Sequence, residues 1–373
     1  MRQNILLVFI AAGLIFLAGA NAVAAAEGTP ALDVKIGQMV MVGFRGLAVS
    51  DNDPVARDIR ERHIGGVILF DYDVPTRTFG RNIESARQTR ALTSSLQTRA
   101  SVPLFIAVDQ EGGRVSRLKE KNGFPPTVSQ KQLGMWDDLK KTRLQADVTA
   151  KTLAGLGINV NFVPVVDLDL NPTNPVIGKL ERSFSPDPAV VTRHAMAVIE
   201  AHRRYGVLTA PKHFPGHGSA GGDSHEGFVD VTGRWTPVEL EPFRMLIHQG
   251  MADMVMTAHI FNGKLDPVWP STLSRKTLTD ILRQQMGFDG VVISDDMQMK
   301  AISAHYGLET AIRQAILAGV DILIFANNSV YEEDIAARAT ATVRSLVEKG
   351  DIPAERIDAS YRRIMMLKER LKK

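Results

Sequence analysis

The feature that most constrains this chain is a repeated alternation of short apolar segments with stretches of helical periodicity. Each apolar segment is a few residues long and rich in β-branched side chains, as expected of parallel strands buried on both faces of a sheet. The predicted strands are Met39–Gly43, Gly66–Phe70, Leu104–Val108, Val160–Val166, Val207–Ala210, Met254–Thr257, Val291–Ser294 and Ile322–Phe325. The predicted helices are Asn82–Thr98, Leu139–Leu156, Pro188–Arg204, Leu273–Met286, Leu308–Leu317, Glu332–Glu348, Ala354–Leu371 and one that opens at Pro237 with Thr236 as its N-cap.

Eight strands with intervening helices predict an α/β fold, a (β/α)8 TIM barrel in a single domain. A barrel of this kind takes about 250 residues, so the excess length would lie in its loops. The alternative is a doubly wound open sheet, which is disfavoured because no G-x-G-x-x-G sequence follows the first strand. No change in composition and no Pro/Ser-rich linker marks a second domain.

The first 26 residues differ from the rest of the chain. Arg2 precedes an apolar run that starts at Ile5, and small residues follow this run up to Ala26. The pattern is typical of a secretory signal peptide, which leaves residues 27–373 as the mature TIM-barrel domain. We expect an exported protein, periplasmic or secreted, without stable membrane insertion once the signal is removed. The alternative is an uncleaved N-terminal anchor, for which the apolar run is short.

Composition excludes several classes of protein. Cysteine is absent, which excludes a disulfide scaffold and any thiol nucleophile or thiolate metal ligand. The 44 Lys and Arg residues against 41 Asp and Glu residues give a net charge of +3 that is spread along the chain. Because no long basic run is present, no nucleic-acid partner is expected.

Polar residues gather directly after the predicted strands. In a barrel the βα loops open at the C-terminal ends of the strands, and the chemistry is placed there. Candidate binding residues at these ends are Asp109, Arg117, Lys212 and His213. Each could form only a salt bridge around the barrel rim, but together, on successive strand ends, they favour a pocket for a polar small molecule.

Asp295 is the first residue after the predicted strand Val291–Ser294. A carboxylate at this position can be a nucleophile, a base or an N-cap of the next helix, since Asp is a preferred capping residue. Asp296 competes with it for any of these roles.

The glycine-rich segment 212–225 contains three histidines, and two chemical interpretations compete for it. His213, His217 and His225 could bind a metal ion with Asp223 as a further ligand. Alternatively, Asp223 orients His225 for acid/base chemistry, as carboxylates do for catalytic imidazoles. The acid/base interpretation is favoured because the spacing lacks the helical H-E-x-x-H pattern. Histidines with a structural role are the third possibility.

Four motifs occur together in one order along the chain. They are D-Q-E-G-G-R-V at 109–115, I-G followed by R-S-F across 177–184, K-H-F-P-G-H-G with D-S-H at 212–225, and S-D-D-M at 294–297. In this combination the sequence resembles glycoside hydrolase family 3, and within it the bacterial single-domain β-N-acetylglucosaminidases. The histidine segment is the most specific of the four, since the β-glucosidases of the family lack its D-S-H dyad.

The resemblance implies a TIM barrel that carries out a retaining, two-step hydrolysis without a metal or an organic cofactor. Asp295 would be the nucleophile, and Asp223 with His225 would form the acid/base dyad. The carried-over substrate contacts are Asp109, Arg117, Arg182, Lys212 and His213. Arg182 follows a stretch that is longer than the usual I-G-x-R spacing.

The activity that the resemblance implies is exo-acting removal of terminal β-linked N-acetylglucosamine from peptidoglycan fragments or chitooligosaccharides. The alternatives are another β-glycosidase of family 3, such as a β-glucosidase, and a secreted sugar-binding barrel without catalytic activity.

Overall fold

The structure is a computed structural model that describes residues 30–372. Eight parallel strands form one sheet, in the order β5-β4-β3-β2-β1-β8-β7-β6. We number them along the chain as β1 Val40–Gly43, β2 Gly66–Leu69, β3 Phe105–Val108, β4 Val160–Asn161, β5 Leu208–Thr209, β6 Met254–Met256, β7 Val291–Asp296 and β8 Ile322–Phe325. Every predicted strand is therefore present in the fold.

The sheet curls until its two edge strands, β5 and β6, meet around Phe214. The Phe214 N–H donates to the Met256 carbonyl at 2.8 Å, and the Phe214 carbonyl accepts the Ala258 N–H at 2.8 Å. These bonds form a parallel bridge to Thr257 and complete a (β/α)8 TIM barrel. The predicted barrel is confirmed, and the alternative of an open doubly wound sheet is wrong.

The strands β4 and β5 are shorter than predicted because prolines interrupt the ladder. Pro164 and Pro211 have no N–H to donate, so regular pairing cannot run through them. The chain remains close to the barrel beyond each proline, since the Val166 N–H donates to the Lys212 carbonyl at 2.8 Å. These irregular segments lead directly into the site described below.

Helices cover the outside of the barrel, and most of them follow the predicted positions. They are Leu32–Gln38, Pro54–Glu61, Ala86–Gln97, Gln130–Trp136, Leu139–Gly155, Pro188–Arg204, Glu241–His248, Lys276–Gln285, Lys300–Ser303, Leu308–Ala318, Ile335–Glu348 and Ala354–Lys368, with Lys276–Gln285 in π-helical geometry. The helix expected at Pro237 begins as a 3-10 turn, Pro237–Leu240. Thr236 occupies the predicted N-cap position with an extended backbone, but its side chain makes no capping hydrogen bond.

The buried core comprises the barrel strands and the apolar faces of the surrounding helices. In β1, β2, β3 and β8 every residue is buried, as predicted for strands covered on both faces. The predicted signal peptide, residues 1–26, lies outside the described residues. Within residues 30–372, the structure contains no helix with the length and apolar character needed to cross a membrane.

Candidate active site

A cavity of about 410 Å³ opens at the C-terminal ends of the barrel strands. All eight side chains singled out from the sequence line it, although they come from widely separated parts of the chain. They are Asp109, Arg117, Arg182, Lys212, His213, Asp223, His225 and Asp295. Apolar side chains, among them Phe70, Tyr72 and Met256, complete the wall. A concave pocket with convergent polar groups at this end of a barrel is the expected form of a small-molecule site.

Asp295 lies near the end of β7 and is held as a carboxylate. Its Oδ1 accepts the backbone N–H of Asp296 at 2.8 Å. Burial alone would raise the pKa of Asp295, but the nearby imidazoles of His259, His213 and His225 outweigh burial and lower it to about 2. Asp295 therefore carries a negative charge across the physiological pH range and can act as a nucleophile.

Asp296 has a different environment, although it is the next residue. Its Oδ1 accepts the N–H of Ala326 at 2.9 Å and the N–H of Gln298 at 3.1 Å, which ties β7 to the end of β8. Burial is the main reason why the pKa of Asp296 is raised to about 6. Neither aspartate caps the next helix, Lys300–Ser303, whose N-cap is Met299. The structure therefore gives Asp296 a structural hydrogen-bonding role and leaves Asp295 as the candidate nucleophile.

Asp223 and His225 form a hydrogen-bonded dyad at the cavity. The Asp223 Oδ1 accepts from both the backbone N–H and the ring Nδ1 of His225, each at 2.8 Å. Burial of the ring lowers the pKa of His225, but the bond to Asp223 and the charge of Asp295 outweigh burial and raise it above the usual value. With Nδ1 bound to Asp223, Nε2 is the ring nitrogen that can exchange a proton with a ligand. The His225 side chain is 54% exposed, so a bound ligand can reach it.

The other two histidines of the segment have partners of their own. The Nε2 of His213 lies 3.2 Å from the Arg182 guanidinium, which can only donate, so Nδ1 carries the proton that His213 donates to Asp167 at 2.6 Å. His217 is buried, and its Nε2 lies 3.3 Å from the Ser224 hydroxyl. Across residues 30–372, no group of three His, Asp or Glu side chains is placed to hold a metal ion.

A continuous network of charged side chains lines one part of the cavity. The Lys212 ammonium contacts Asp109 and Glu111, each at 2.7 Å. Glu111 in turn accepts two bonds from the Arg182 guanidinium, at 2.7 and 2.8 Å. Burial favours the neutral acid, but Arg182 and Lys212 outweigh it and hold the pKa of Glu111 well below its usual range. The network thus holds two cations and two anions in contact with one another, and all four residues line the cavity.

Arg182 reaches this network of charged side chains, although the stretch that precedes it is longer than the usual I-G-x-R spacing. Its side chain is 11% exposed and is fixed further by a 3.0 Å bond to the Val176 carbonyl. Arg117 lies on another part of the wall, 4.0 Å from the Asp71 carboxylate, with its guanidinium 5.5 Å from the Phe70 ring. In the described part of the chain, the Arg117 Nε is buried without a hydrogen-bond partner.

The sequence did not single out three further residues that shape the site. Glu111 lies within the D-Q-E-G-G-R motif but was not assigned a role there. Asp167 follows β4 and accepts bonds from the backbone N–H of both His213 and His217. Glu239 is buried and accepts the N–H of Gly218 at 3.0 Å. The position of Glu111 and Asp167 directly after strands is the sequence signal that could have indicated them.

Comparison with known proteins identifies the family of this chain. Residues 31–367 match the family described as the glycosyl hydrolase family 3 N-terminal domain. The chain belongs to glycosyl hydrolase family 3. The family resemblance read from the four motifs is thereby confirmed, together with the barrel that it implies.

Family 3 relatives named for hexosaminidase activity match most of the chain. Beta-hexosaminidase A of Pseudoalteromonas piscicida is 33% identical over an alignment of 379 residues, which covers 90% of this chain and 60% of that protein. A beta-hexosaminidase of Nitrosomonas eutropha is 35% identical over 298 residues, which cover 78% of this chain and 80% of that protein. The chain thus spans less than two thirds of the Pseudoalteromonas relative.

Solved family 3 structures have the same barrel. The beta-N-acetylglucosaminidase of Paenibacillus sp. str. FPU-7 superposes with a TM-score of 0.84 at 37% identity, covering 92% of this chain and 63% of that one. The beta-N-acetylhexosaminidase of Beutenbergia cavernae DSM 12333 superposes with a TM-score of 0.82 at 29% identity, covering 91% of this chain and 99% of that one.

Proposed function

We propose that this protein is a retaining exo-β-N-acetylglucosaminidase. The observation that carries the proposal is the pairing, in one cavity, of the Asp295 carboxylate with the His225 imidazole, which is held by Asp223. Hydrolysis of a glycoside with retained configuration needs a nucleophile and a group that acts first as acid and then as base. The names of the hexosaminidase and N-acetylglucosaminidase relatives support N-acetylglucosamine as the sugar that is removed.

In the first step, the Asp295 carboxylate attacks the anomeric carbon and forms an ester with it. The bond from that carbon to the glycosidic oxygen breaks, and its electron pair remains on the oxygen. His225 Nε2 donates the proton that makes this oxygen a neutral leaving group. The dyad suits this step because Asp223 stabilises the imidazolium form of His225.

In the second step, neutral His225 takes a proton from a water molecule. The water oxygen attacks the anomeric carbon, the ester bond breaks, and Asp295 leaves as a carboxylate. Two displacements at the same carbon restore its original configuration. Asp109, Glu111, Arg182 and Lys212 line the cavity and would hold the sugar through its hydroxyl groups, with His213 and Arg117 as further contacts.

The substrate that we propose is a terminal β-linked N-acetylglucosamine on peptidoglycan fragments or chitooligosaccharides. Export to the periplasm or the medium, directed by residues 1–26, would bring the enzyme to such saccharides. N-terminal sequencing of the protein recovered from the periplasm or medium tests export, with a new N-terminus after Ala26 as the expected result. Recovery of the full chain from the membrane fraction would favour the uncleaved anchor.

Aryl glycosides test the activity directly. We expect release of nitrophenol from the β-N-acetylglucosaminide to exceed release from the β-glucoside. Faster turnover of the glucoside would favour the alternative family 3 β-glycosidase, and no turnover of either would favour a sugar-binding barrel. A proton NMR spectrum of the first product should show the β-anomer, because retention predicts it.

Two neighbouring variants test the assignment of the nucleophile. Asp295→Asn should remove nearly all turnover, because an amide cannot form the glycosyl ester. Asp296→Asn is the matched control, since it keeps a side-chain oxygen for the Ala326 and Gln298 N–H groups and should keep substantial activity. Loss of activity in Asp296→Asn with activity retained in Asp295→Asn would reverse the assignment.

The role of His225 is tested by the leaving group. His225→Ala should lower kcat by about 10²–10⁴-fold on an alkyl glycoside, whose oxygen needs protonation, and much less on a nitrophenyl glycoside. Equal losses on the two substrates would contradict the acid role of His225.

A further inference from the structure

A row of exposed and half-buried aromatic side chains lies beside the segment that carries the dyad. Phe228 follows His225 by three residues and is 47% exposed. Its ring centroid lies 5.3 Å from the Phe261 ring and 5.5 Å from the His305 ring. The row continues through Tyr306 to Trp269, whose rings are 5.4 Å apart. We call these five side chains, Phe228, Phe261, His305, Tyr306 and Trp269, the aromatic row.

The backbone fixes Phe228 relative to the dyad. The Ser224 carbonyl accepts the Ala301 N–H at 3.2 Å, which joins the dyad segment to the chain that carries His305. On the other side, the Val229 carbonyl accepts the Phe261 N–H at 2.8 Å. Backbone hydrogen bonds at Ser224 and at Val229 thus fix the chain on both sides of Phe228.

The mechanism places the leaving group on this side of the cavity. A general acid must lie within hydrogen-bond distance of the atom that it protonates, so the glycosidic oxygen must contact His225. The rest of the leaving saccharide extends outward from that contact. Three residues span at most about 11 Å, so Phe228 lies within reach of the sugar rings that follow the cleaved bond.

The surface at Phe228 also has the chemistry of a sugar-binding site. An exposed aromatic face removes the apolar C–H face of a β-linked pyranose from water, and a patch of this kind is a sign of a binding surface. The carboxylates of Glu226 and Asp230 are exposed on either side of Phe228 in the sequence. They can accept hydrogen bonds from the hydroxyl groups at the rim of the same ring.

We propose that Phe228, supported by His305 and Phe261, forms a subsite that binds a pyranose ring of the saccharide leaving group. The inference rests on the proposed glycosidase function and deepens it. The substrate class is then an oligosaccharide with at least one further sugar beyond the cleaved bond, in preference to an N-acetylglucosaminide with a small alcohol.

The test compares Phe228→Ala with the wild-type full chain on three substrates: triacetylchitotriose, the nitrophenyl β-N-acetylglucosaminide and the methyl β-N-acetylglucosaminide. On the trisaccharide, kcat/KM should fall by about three- to tenfold, mainly through KM, as expected from the loss of one aromatic contact. On the methyl glycoside, which has no ring beyond the cleaved bond, kcat/KM should stay at the wild-type value. Phe228→Trp should restore the trisaccharide reaction.

The methyl glycoside separates binding of the leaving saccharide from positioning of the dyad. It needs protonation by His225 but has no further sugar, so an equal loss on this substrate would show that Phe228 only packs the loop. Trp136→Ala is the matched control, because Trp136 is a comparably exposed aromatic residue on an outer helix. An unchanged trisaccharide reaction in an active Phe228→Ala enzyme overturns this inference alone. A wild-type chain that cleaves none of the three substrates overturns the proposed function and the subsite together.

Discussion

Glu111 is the side chain on which the charge balance of the site depends, and its replacement gives a prediction with a definite magnitude. Glu111 is 1% exposed and contacts two cations, Arg182 through two bonds and Lys212 through one. In Glu111→Gln the shape of the side chain is kept, but one of the two anions is lost. Lys212 then keeps its contact with Asp109, whereas Arg182 loses the carboxylate that it contacts.

Removal of one partner from a buried ion pair costs about 3–5 kcal/mol of unfolding free energy. A domain of this length unfolds with an entropy of about 0.7 kcal/mol per kelvin, from the average per residue. Glu111→Gln should therefore lower the Tm by about 4–7 °C. It should also raise KM, because Arg182 and Lys212 lose the bonds that orient them toward the sugar.

The assay is thermal unfolding by circular dichroism at pH 7, with Glu181→Gln as the matched control. Glu181 is one residue from Arg182 in the chain, but it is 43% exposed and its nearest cation, Arg114, lies 3.9 Å away. An exposed pair of this kind contributes about 0–1 kcal/mol, so the control should move the Tm by about 1 °C at most. Equal Tm values for the two variants would refute the view that Glu111 anchors the site.

The pH dependence gives a second check on Glu111. Its pKa is lowered in the folded state, so its contribution to stability is present above the unfolded pKa of about 4.3 and is lost as the pH falls through the folded pKa. The Tm difference between wild type and Glu111→Gln should therefore be constant near neutral pH and narrow only in acid. A difference that vanished between pH 8 and pH 6 would point to another group.

Two further predictions concern the dyad segment. Asp223→Asn removes the charge that helps to raise the pKa of His225 and keeps only a neutral acceptor for its Nδ1–H, so the alkaline limb of the kcat/KM profile should move to lower pH on the methyl glycoside. An alkaline limb that does not move would show that His225 does not set it. Ser224→Ala removes the hydroxyl that lies 3.3 Å from the buried His217 Nε2, which costs about 1 kcal/mol of unfolding free energy and should lower the Tm by about 1–2 °C. Ser224→Thr keeps the hydroxyl and should restore the Tm, and a failure of that rescue would argue against the contact.

The barrel was predictable because its strands carry a strong sequence signal. A strand covered on both faces must be apolar at every position, and β8, Ile322–Phe325, shows this clearly. The helix Pro54–Glu61 was not predicted, since only its Val55, Ala56 and Ile59 supply apolar buried contacts in a short polar stretch. Thr236 occupies the predicted N-cap position, but a capping residue type does not by itself establish a side-chain capping bond, and Thr236 makes none.

The residues that line the cavity were predictable where sequence motifs contain them. Contacts between residues that are distant in the sequence were not predictable. Glu111 and Arg182 are 71 residues apart in the chain, and Asp167 and His213 are 46 apart. The order of strands around the barrel brings these pairs together, so sequence spacing alone gives no sign of either bond. Phe228 was missed for a related reason, because its exposure depends on packing against Phe261 and His305.

The adjacent aspartates at the end of β7 show how the fold distinguishes two residues of the same type. From their positions in the sequence, Asp295 and Asp296 compete for the same roles, and only the family resemblance favours Asp295. In the barrel both residues line the cavity, at a point where the register of β7 against β8 shifts, but their carboxylates accept from different backbone N–H groups. Three imidazoles lower the pKa of Asp295 to about 2, while burial raises the pKa of Asp296 to about 6 against two backbone N–H bonds. The surroundings therefore give two residues of the same type different pKa values. The lower pKa of Asp295 makes it the carboxyl group suited to attack an anomeric carbon.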